Sequence, residues 1–447
     1  MSLTNPEVAH LLLALALLVV VAHALGHVFA TMRQPPVIGE ILGGLLLGPT
    51  VLGSIDAGAA AWLYPSSGVT ATVLGAISNL GLLLLMFLAG AEVRVRASGE
   101  ERKTVLAVTT SGLLLPFCAG ILIVQLLDWK AFSGPEGSRV TFALVFGIAI
   151  AVTSIPVISR IMLDLGILKT QFARVVLSVA VLEDVALYVV LAVVLGLVQA
   201  SSADAYGLPV LLGLDSVATS AIYYVVVAVL FLGVFLVRGA AIFRLVAASP
   251  VNLLDKRNPT AFRFAFLLLL GLACVGLGIN PIFGALMAGL SASRADDEAR
   301  EETRRAWDAL RRFSLAFFIP LYFAIVGLKL DLVRHLDPVF FLWFFLVACA
   351  VKSASVWLGA RLAGQHRAAL DLAVALNARG GPGIVLATVT YSAGIINENF
   401  FTTLVLLSIL SSQIAGFWLD RVFVRKPARA PEPAWSGRAE AAPSTEP

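Results

Sequence analysis

Residues 173–198 read ARVVLSVAVLEDVALYVVLAVVLGLV, an apolar run whose only charges are Arg174 at its start and Glu183-Asp184 near its middle. A run of this length and character spans a membrane as a helix. A charge at the bilayer centre costs about 2.5–3.5 kcal/mol on insertion scales, so charges persist there when they have a task. Two adjacent carboxylates at that depth point to a site for cations or protons.

The rest of the chain has the same character. Of 447 residues, 59% are hydrophobic and 13% charged, whereas soluble domains carry about 25% charge. Mean hydropathy is +0.93. Apolar segments of helix length fall at roughly 7–31, 36–53, 69–91, 104–127, 140–163, 172–198, 217–237, 260–278, 280–293, 313–330, 339–362, 368–391 and 399–423. The expectation is an all-α polytopic membrane protein with about 13 transmembrane helices, the ninth being short for a span of about 20 residues. Residues 425–447, rich in Pro, Ala and Glu, read as a disordered cytoplasmic tail.

Basic residues orient the chain. Of its 32 Lys and Arg, one alternate set of loops holds all but six. The opposite loops carry only Lys130, Arg139, Lys329 and Arg334, and Lys352 and Arg379 lie inside spans. That bias predicts an outside N-terminus and a cytoplasmic C-terminus. It also explains the net charge of +4 without nucleic acid as a partner. Cys118, Cys274 and Cys349 sit in apolar segments and read as buried small hydrophobes. No Walker A, HExxH or nucleophile motif is present, so an enzyme is not expected.

Six helices, a linker helix at 217–237 and six more would set the second half upside down relative to the first. Segments 4, 5 and 6 then correspond to 11, 12 and 13. Both members of the 5/12 pair are interrupted at mid-depth. One reads Thr153-Ser154-Ile155-Pro156, the other Arg379-Gly380-Gly381-Pro382-Gly383. Paired interrupted helices mark secondary-transporter binding sites. Proline removes a donor and glycine loosens the helix, and the freed carbonyls and half-helix ends are expected to face an ion.

The centres of segments 5, 6, 11 and 12 fall near residues 152, 185, 350 and 380, which sets Thr153, Ser154, Glu183, Asp184, Lys352 and Arg379 at one depth. Neighbouring helical residues point about 100° apart. Asp184 is therefore assigned the transported cation and proton, and Glu183 the partnership with Lys352. The two acids are expected to titrate as a coupled pair. A hard monovalent cation would take oxygens from Asp184, Thr153, Ser154 and water. The bland alternative is a fixed Glu183–Lys352 brace, with Asp184 salt-bridged to Arg379.

Gln34-Pro35-Pro36-Val37-Ile38-Gly39-Glu40-Ile41-Leu42, running on to Leu47-Gly48-Pro49, resembles the second-helix signature of bacterial monovalent cation:proton antiporters of the Kef/Nap type. So do Leu82 to Glu92, Thr153 to Val157, Phe318-Ile319-Pro320 to Asp331, and Asn377-Ala378-Arg379-Gly380. The resemblance covers residues 7–424. It implies the inverted-repeat antiporter fold with two crossed discontinuous helices, and a homodimer in a bacterial cytoplasmic membrane. It further implies that core helices at 104–198 and 339–424 move against dimer helices at 7–91 and 260–330. The implied activity is secondary active Na⁺ or K⁺ exchange for H⁺ by alternating access around Asp184, with no cofactor beyond the ions. Asp184 matches the essential aspartate of that family, Lys352 its basic residue and Thr153 its crossing-point threonine. Position 183 departs from the pattern. Electrogenic relatives carry Asp there, electroneutral ones Asn and potassium-efflux ones Gln, so Glu183 implies two carboxylates and electrogenic exchange. The nucleotide-binding regulatory domain of potassium-efflux relatives has no counterpart after Phe423.

Two rival functions stay open: a passive cation channel or leak, and a non-transporting membrane sensor on the same scaffold. Weaker signals have blander readings. His23 and His27 share a helix face but lack a third metal ligand, and Glu40 reads as a capping or inter-helix hydrogen bond. Gly39/Gly43 and Gly44/Gly48 give small faces for close helix approach. Residues 294–312 read as a charged cytoplasmic helix.

Overall fold

Helices follow the apolar runs, and prolines and short polar side chains start them. Pro36, Pro259, Pro281 and Pro338 each open a helix, where a missing N–H goes unnoticed. Asn258, Asn280, Asp337 and Asn397 accept from first-turn amides. The computed structural model describes residues 4–32, 34–92, 99–168, 170–199, 207–213, 217–249, 253–296 and 301–425. The tail expected to be disordered lies outside these residues except for its first position.

The main helices are α1 (Asn5–Thr31), α2 (Pro36–Leu47), α3 (Val69–Glu92), α4 (Gly99–Leu126) and α5 (Arg139–Ala151). Then come α6 (Ile155–Asp164), α7 (Gln171–Gln199), α8 (Val217–Ala247), α9 (Pro259–Gly276) and α10 (Pro281–Ala295). The continuous helix Glu301–Leu328, with a π turn at Ser314–Phe318, is α11. The last are α12 (Pro338–Leu362), α13 (Ala369–Ala375), α14 (Gly380–Ser392) and α15 (Glu398–Asp420).

Among the described residues, ten helices are long and apolar enough to cross a membrane, and the α13/α14 pair, bent by 41°, brings the number to eleven. The expected thirteen is not reached on that criterion. The fifth segment divides into α5 and α6, of 13 and 10 residues, and the ninth, α10, has only 15. Such pieces suit membrane depth when protein surrounds them. Every residue of α10 from Ile282 to Ser293 is buried.

Helix packing sorts into two groups. Helices α1, α2, α3, α9, α10 and α11 pack mainly on one another, and α4–α7 pack with α12–α15. Helix α8 touches both α7 and α10. In the first group several contacts are made backbone to backbone, two of them reciprocal. A Cβ on Gly44 would overlap the Ala324 carbonyl of α11, and one on Gly327 the Ile41 carbonyl of α2. Gly90 of α3 and Gly289 of α10 stand in the same relation, against the carbonyls of Leu286 and Phe87.

In the second group the unwound stretches 152–154 and 376–379 meet. The Ser154 amide donates to the Ala378 carbonyl at 2.6 Å. Gly380, at φ +35°, holds a backbone conformation that a Cβ would strain, and that Cβ would also overlap Val157 of α6. The breaks lie slightly upstream of where the sequence suggested. Pro156 is the second residue of α6, and Gly380, Gly381, Pro382 and Gly383 form the first turn of α14. First-turn amides need no intrahelical partner, so proline and glycine start these half-helices rather than break them. The Pro156 side chain lies outside the described ones.

Candidate ion-binding site

Helix α7 carries Glu183 and Asp184 on successive positions, so their side chains diverge. Glu183 is fully buried and turns toward α12. Its Oε2 accepts from Lys352 Nζ at 2.9 Å and from Thr153 Oγ1 at 2.7 Å. Lys352, also fully buried, donates as well to the carbonyls of Gly112 at 2.8 Å and Ala151 at 2.6 Å. Three ammonium protons thus meet three acceptors from three other helices.

Arg379 is the other intramembrane cation, and among the described residues it has no carboxylate partner. Its Nε and Nη2 donate to the carbonyls of Ala149 and Ile150, at 3.3 and 3.1 Å. Nη2 also reaches the Ala348 carbonyl, and Nη1 the Asn377 carbonyl and Oδ1. Two sequence expectations are corrected here. Arg379 does not make the ion pair with Asp184 that the bland alternative had, and its charge reaches Glu183 only through space. Nor do the last carbonyls of α5 face an ion. A helix ends in orphan carbonyls with a partial negative charge, and those of α5 are taken at Ala149 and Ile150 by Arg379 and at Ala151 by Lys352.

The matching end of α13 is closed by polar groups instead. Asn377 Nδ2 donates to the Ala373 carbonyl at 3.0 Å and to Ser353 Oγ at 2.7 Å. Thr153 Oγ1 lies 2.8 Å from the Leu376 carbonyl. Sequence reasoning quoted Asn377 only as part of a motif. A side chain two residues before Arg379 that supports the guanidinium has no signature of its own. Ser412 Oγ, which accepts from the Gly380 amide at 3.0 Å, was missed for the same reason.

Asp184 stands apart from this network. Its side chain is 5% exposed, and Oδ1 has no hydrogen-bond partner. It lines a cavity of about 10 Å³ together with Ile155, Tyr188, Ala89 and Met287, a space on the scale of one water. The walls come from both packing groups, α6 and α7 on one side and α3 and α10 on the other. Thr153 and Ser154, expected beside the cation, do not line this cavity. The Thr153 hydroxyl is engaged by Glu183 and Leu376, and Ser154 Oγ accepts from the Val157 amide at 3.4 Å.

A second cavity of about 1260 Å³ is lined by residues on the side where α2 and α11 end and α3 begins. Tyr322 and Thr388, bonded at 3.3 Å, line it, as does Leu82. One turn from Leu82, Met86 Sδ receives the Tyr188 hydroxyl at 3.8 Å. Tyr188 also lines the small cavity of Asp184. Leu82, Met86 and Tyr188 thus link the wall of the wide cavity to that of the carboxylate's.

Known proteins share this chain's sequence over nearly all its length. It is 28% identical over 425 residues to the Na⁺/H⁺ antiporter NhaS4 of Synechocystis, covering 92% of this chain and 98% of that protein. It is 25% identical to the Na⁺/H⁺-K⁺ antiporter GerN of Bacillus cereus, covering 92% and 96%. Cation/H⁺ antiporter 20 of Arabidopsis thaliana is 27% identical over 94% of this chain, which spans only 49% of that longer protein. The structure of the sodium proton antiporter MjNhaP1 from Methanocaldococcus jannaschii superposes with a TM-score of 0.59 at 17% identity, over 92% of this chain and 97% of that one, so the fold is shared. Residues 13–425 match the family described as sodium/hydrogen exchanger, transmembrane. With that match spanning the crossed helices and every residue of the buried network, the chain belongs to the transmembrane sodium/hydrogen exchanger family.

Proposed function

We propose that this protein exchanges a monovalent cation, Na⁺ or K⁺, for protons by alternating access around Asp184. The observation that carries this reading is that Asp184, whose Oδ1 like Glu183 Oε1 has no partner, alone of the two acids lines a one-water cavity between the two packing groups. A buried carboxylate oxygen without a partner is costly to keep unless a ligand visits it. A proton and a cation are the two ligands that a carboxylate in so small a space accepts. They exclude each other there, and that exclusion couples their fluxes. Relatives named as Na⁺/H⁺ and K⁺/H⁺ antiporters support the substrate class.

In this reading α4–α7 and α12–α15 form the core and move against α1–α3 and α9–α11, with α8 as linker. The small cavity lies on the seam between them and opens to one side or the other. The loop charge bias supports an outside N-terminus in a bacterial cytoplasmic membrane, and the wide cavity then faces outside. Two copies, joined through the first group, make the working unit. Glu183 stays with Lys352 and Thr153 as the fixed part of the site, and water completes the shell of the cation at Asp184.

The test is Asp184→Asn, purified and reconstituted in liposomes. Cation-dependent H⁺ flux should vanish while the melting temperature stays near that of the parent. Unchanged flux overturns the assignment.

A further inference from the structure

In the exchange reading above, the wide cavity is the approach of a cation to Asp184 from one side, yet a positive charge lies in its wall. Lys329 follows the last residue of α11, and its side chain is solvent-exposed into the cavity. Among the described residues it has no carboxylate partner. Among the described residues, the other charges lining the cavity are Asp331 and Arg334, and they answer to each other. Asp331 Oδ1 accepts from the amides of Val333 and Arg334, and Oδ2 lies 3.7 Å from Arg334 Nε. The remaining lining is neutral, with Asn79, Asn280, Tyr322 and Thr388 among its polar members. Among the described residues, the uncompensated charge of the vestibule is thus one ammonium. Protein surrounds it closely enough that desolvation pushes it below the ordinary lysine range. Lys329 lies seven positions after Tyr322 in the wall, about 10 Å along a helix.

We propose that Lys329 sets the apparent affinity for cations arriving through this vestibule, holding their local concentration below that of the bulk. A cleft with low-dielectric walls focuses the field of a charge within it and so changes the local ion concentration. At 0.1 M salt the screening length is roughly 10 Å, comparable with the distance from Lys329 to Tyr322, so dilute salt exposes the effect and strong salt removes it. The competing role is local: a lysine at the end of α11 complements the helix dipole. That role would alter stability and turnover and would act equally on cations from either side.

The proposal rests on the exchange reading above, and the two fail differently. A reconstituted protein that moves no cation fails that reading. A protein that exchanges normally without the following shifts fails only this one. Exchange is measured in liposomes with Na⁺ or K⁺ supplied from the vestibule side or from the opposite side. At roughly 10 mM ionic strength Lys329→Gln should lower KM about threefold from the vestibule side alone, with Vmax unchanged. At about 0.5 M the difference should fall below about 1.5-fold. Lys329→Arg should match the parent and Lys329→Glu should lower KM further. Asn79→Lys adds charge to the same wall without touching α11, and should raise KM from that side. A KM that ignores these charges, a shift that survives high salt, or one equal from both sides overturns the proposal.

Discussion

Lys352 Nζ stands 2.9 Å from Glu183 Oε2, and its other two bonds end on the backbone of α4 and α5. The pair is therefore more than a bridge between two side chains. It gathers α4, α5, α7 and α12 around one ammonium, beside an aspartate left free to change its ligand.

Removing the ammonium should be felt as lost stability. Lys352→Met leaves a buried carboxylate without its counter-charge and two carbonyls without that donor, a change of about 3–5 kcal/mol for one partner of a buried pair. Thermal unfolding in detergent should show a large drop in Tm. Adding Glu183→Gln should restore most of it, because the orphaned charge is then gone.

Arg379→Lys keeps the charge but reduces five donors to three. At least one of the α5 carbonyls at Ala149 and Ile150, or the Asn377 contact, must go unmet, at about 1–3 kcal/mol for each buried group. We expect a lowered Tm, with residual exchange falling in parallel. A fully stable Arg379→Lys protein would show that the donors are dispensable.

Gly380→Ala tests the crossing. The positive φ and the overlap with Val157 leave no room for a methyl group, so the two unwound stretches must separate. Exchange should be lost or fall at least about tenfold in a protein that still inserts as helix. A strained backbone of this kind is worth about 1–3 kcal/mol.

Protons and cations should compete at Asp184. A ligand carboxylate must be deprotonated to hold a cation, so acidification raises the cation KM and leaves Vmax at saturating cation unaltered. The slope should approach, and not exceed, about tenfold per pH unit if one proton is displaced per site. Initial rates over a grid of pH and cation concentration would show it. A KM independent of pH while Vmax collapses would place the proton elsewhere.

How much of this the sequence revealed depended on whether a feature was local. The divergence of Glu183 and Asp184 follows from helix geometry alone, and their common depth with Lys352 from span centres. Proline and glycine flagged both interruptions but misplaced them by a few residues, because those residues favour the first turn of a new helix as readily as a break. The count of thirteen is not reached on length and composition among the described residues, because α5, α6 and α10 are short pieces wrapped in protein. The partners of Arg379 were out of reach. Backbone carbonyls carry no side-chain identity, and those of Ala149 and Ile150 lie some 230 residues away in the chain. The engagement of Thr153 by Glu183, away from the Asp184 cavity, was hidden similarly, since a hydroxyl suits either neighbour.

The backbone contacts that Gly44 and Gly327 make between α2 and α11, and Gly90 and Gly289 between α3 and α10, decide what cannot slip. Where main chain rests on main chain, sliding by even part of an ångström drives carbonyls into α-carbons, so α2 with α11 and α3 with α10 behave as welded plates. The surface these plates offer to the opposite bundle is of another kind, built from the side chains of Ala89, Leu286, Met287 and Leu290 facing Tyr188 of α7, and the longer of these can change rotamer. A stiff frame beside a yielding seam confines motion to the seam, which is where Asp184 has been placed.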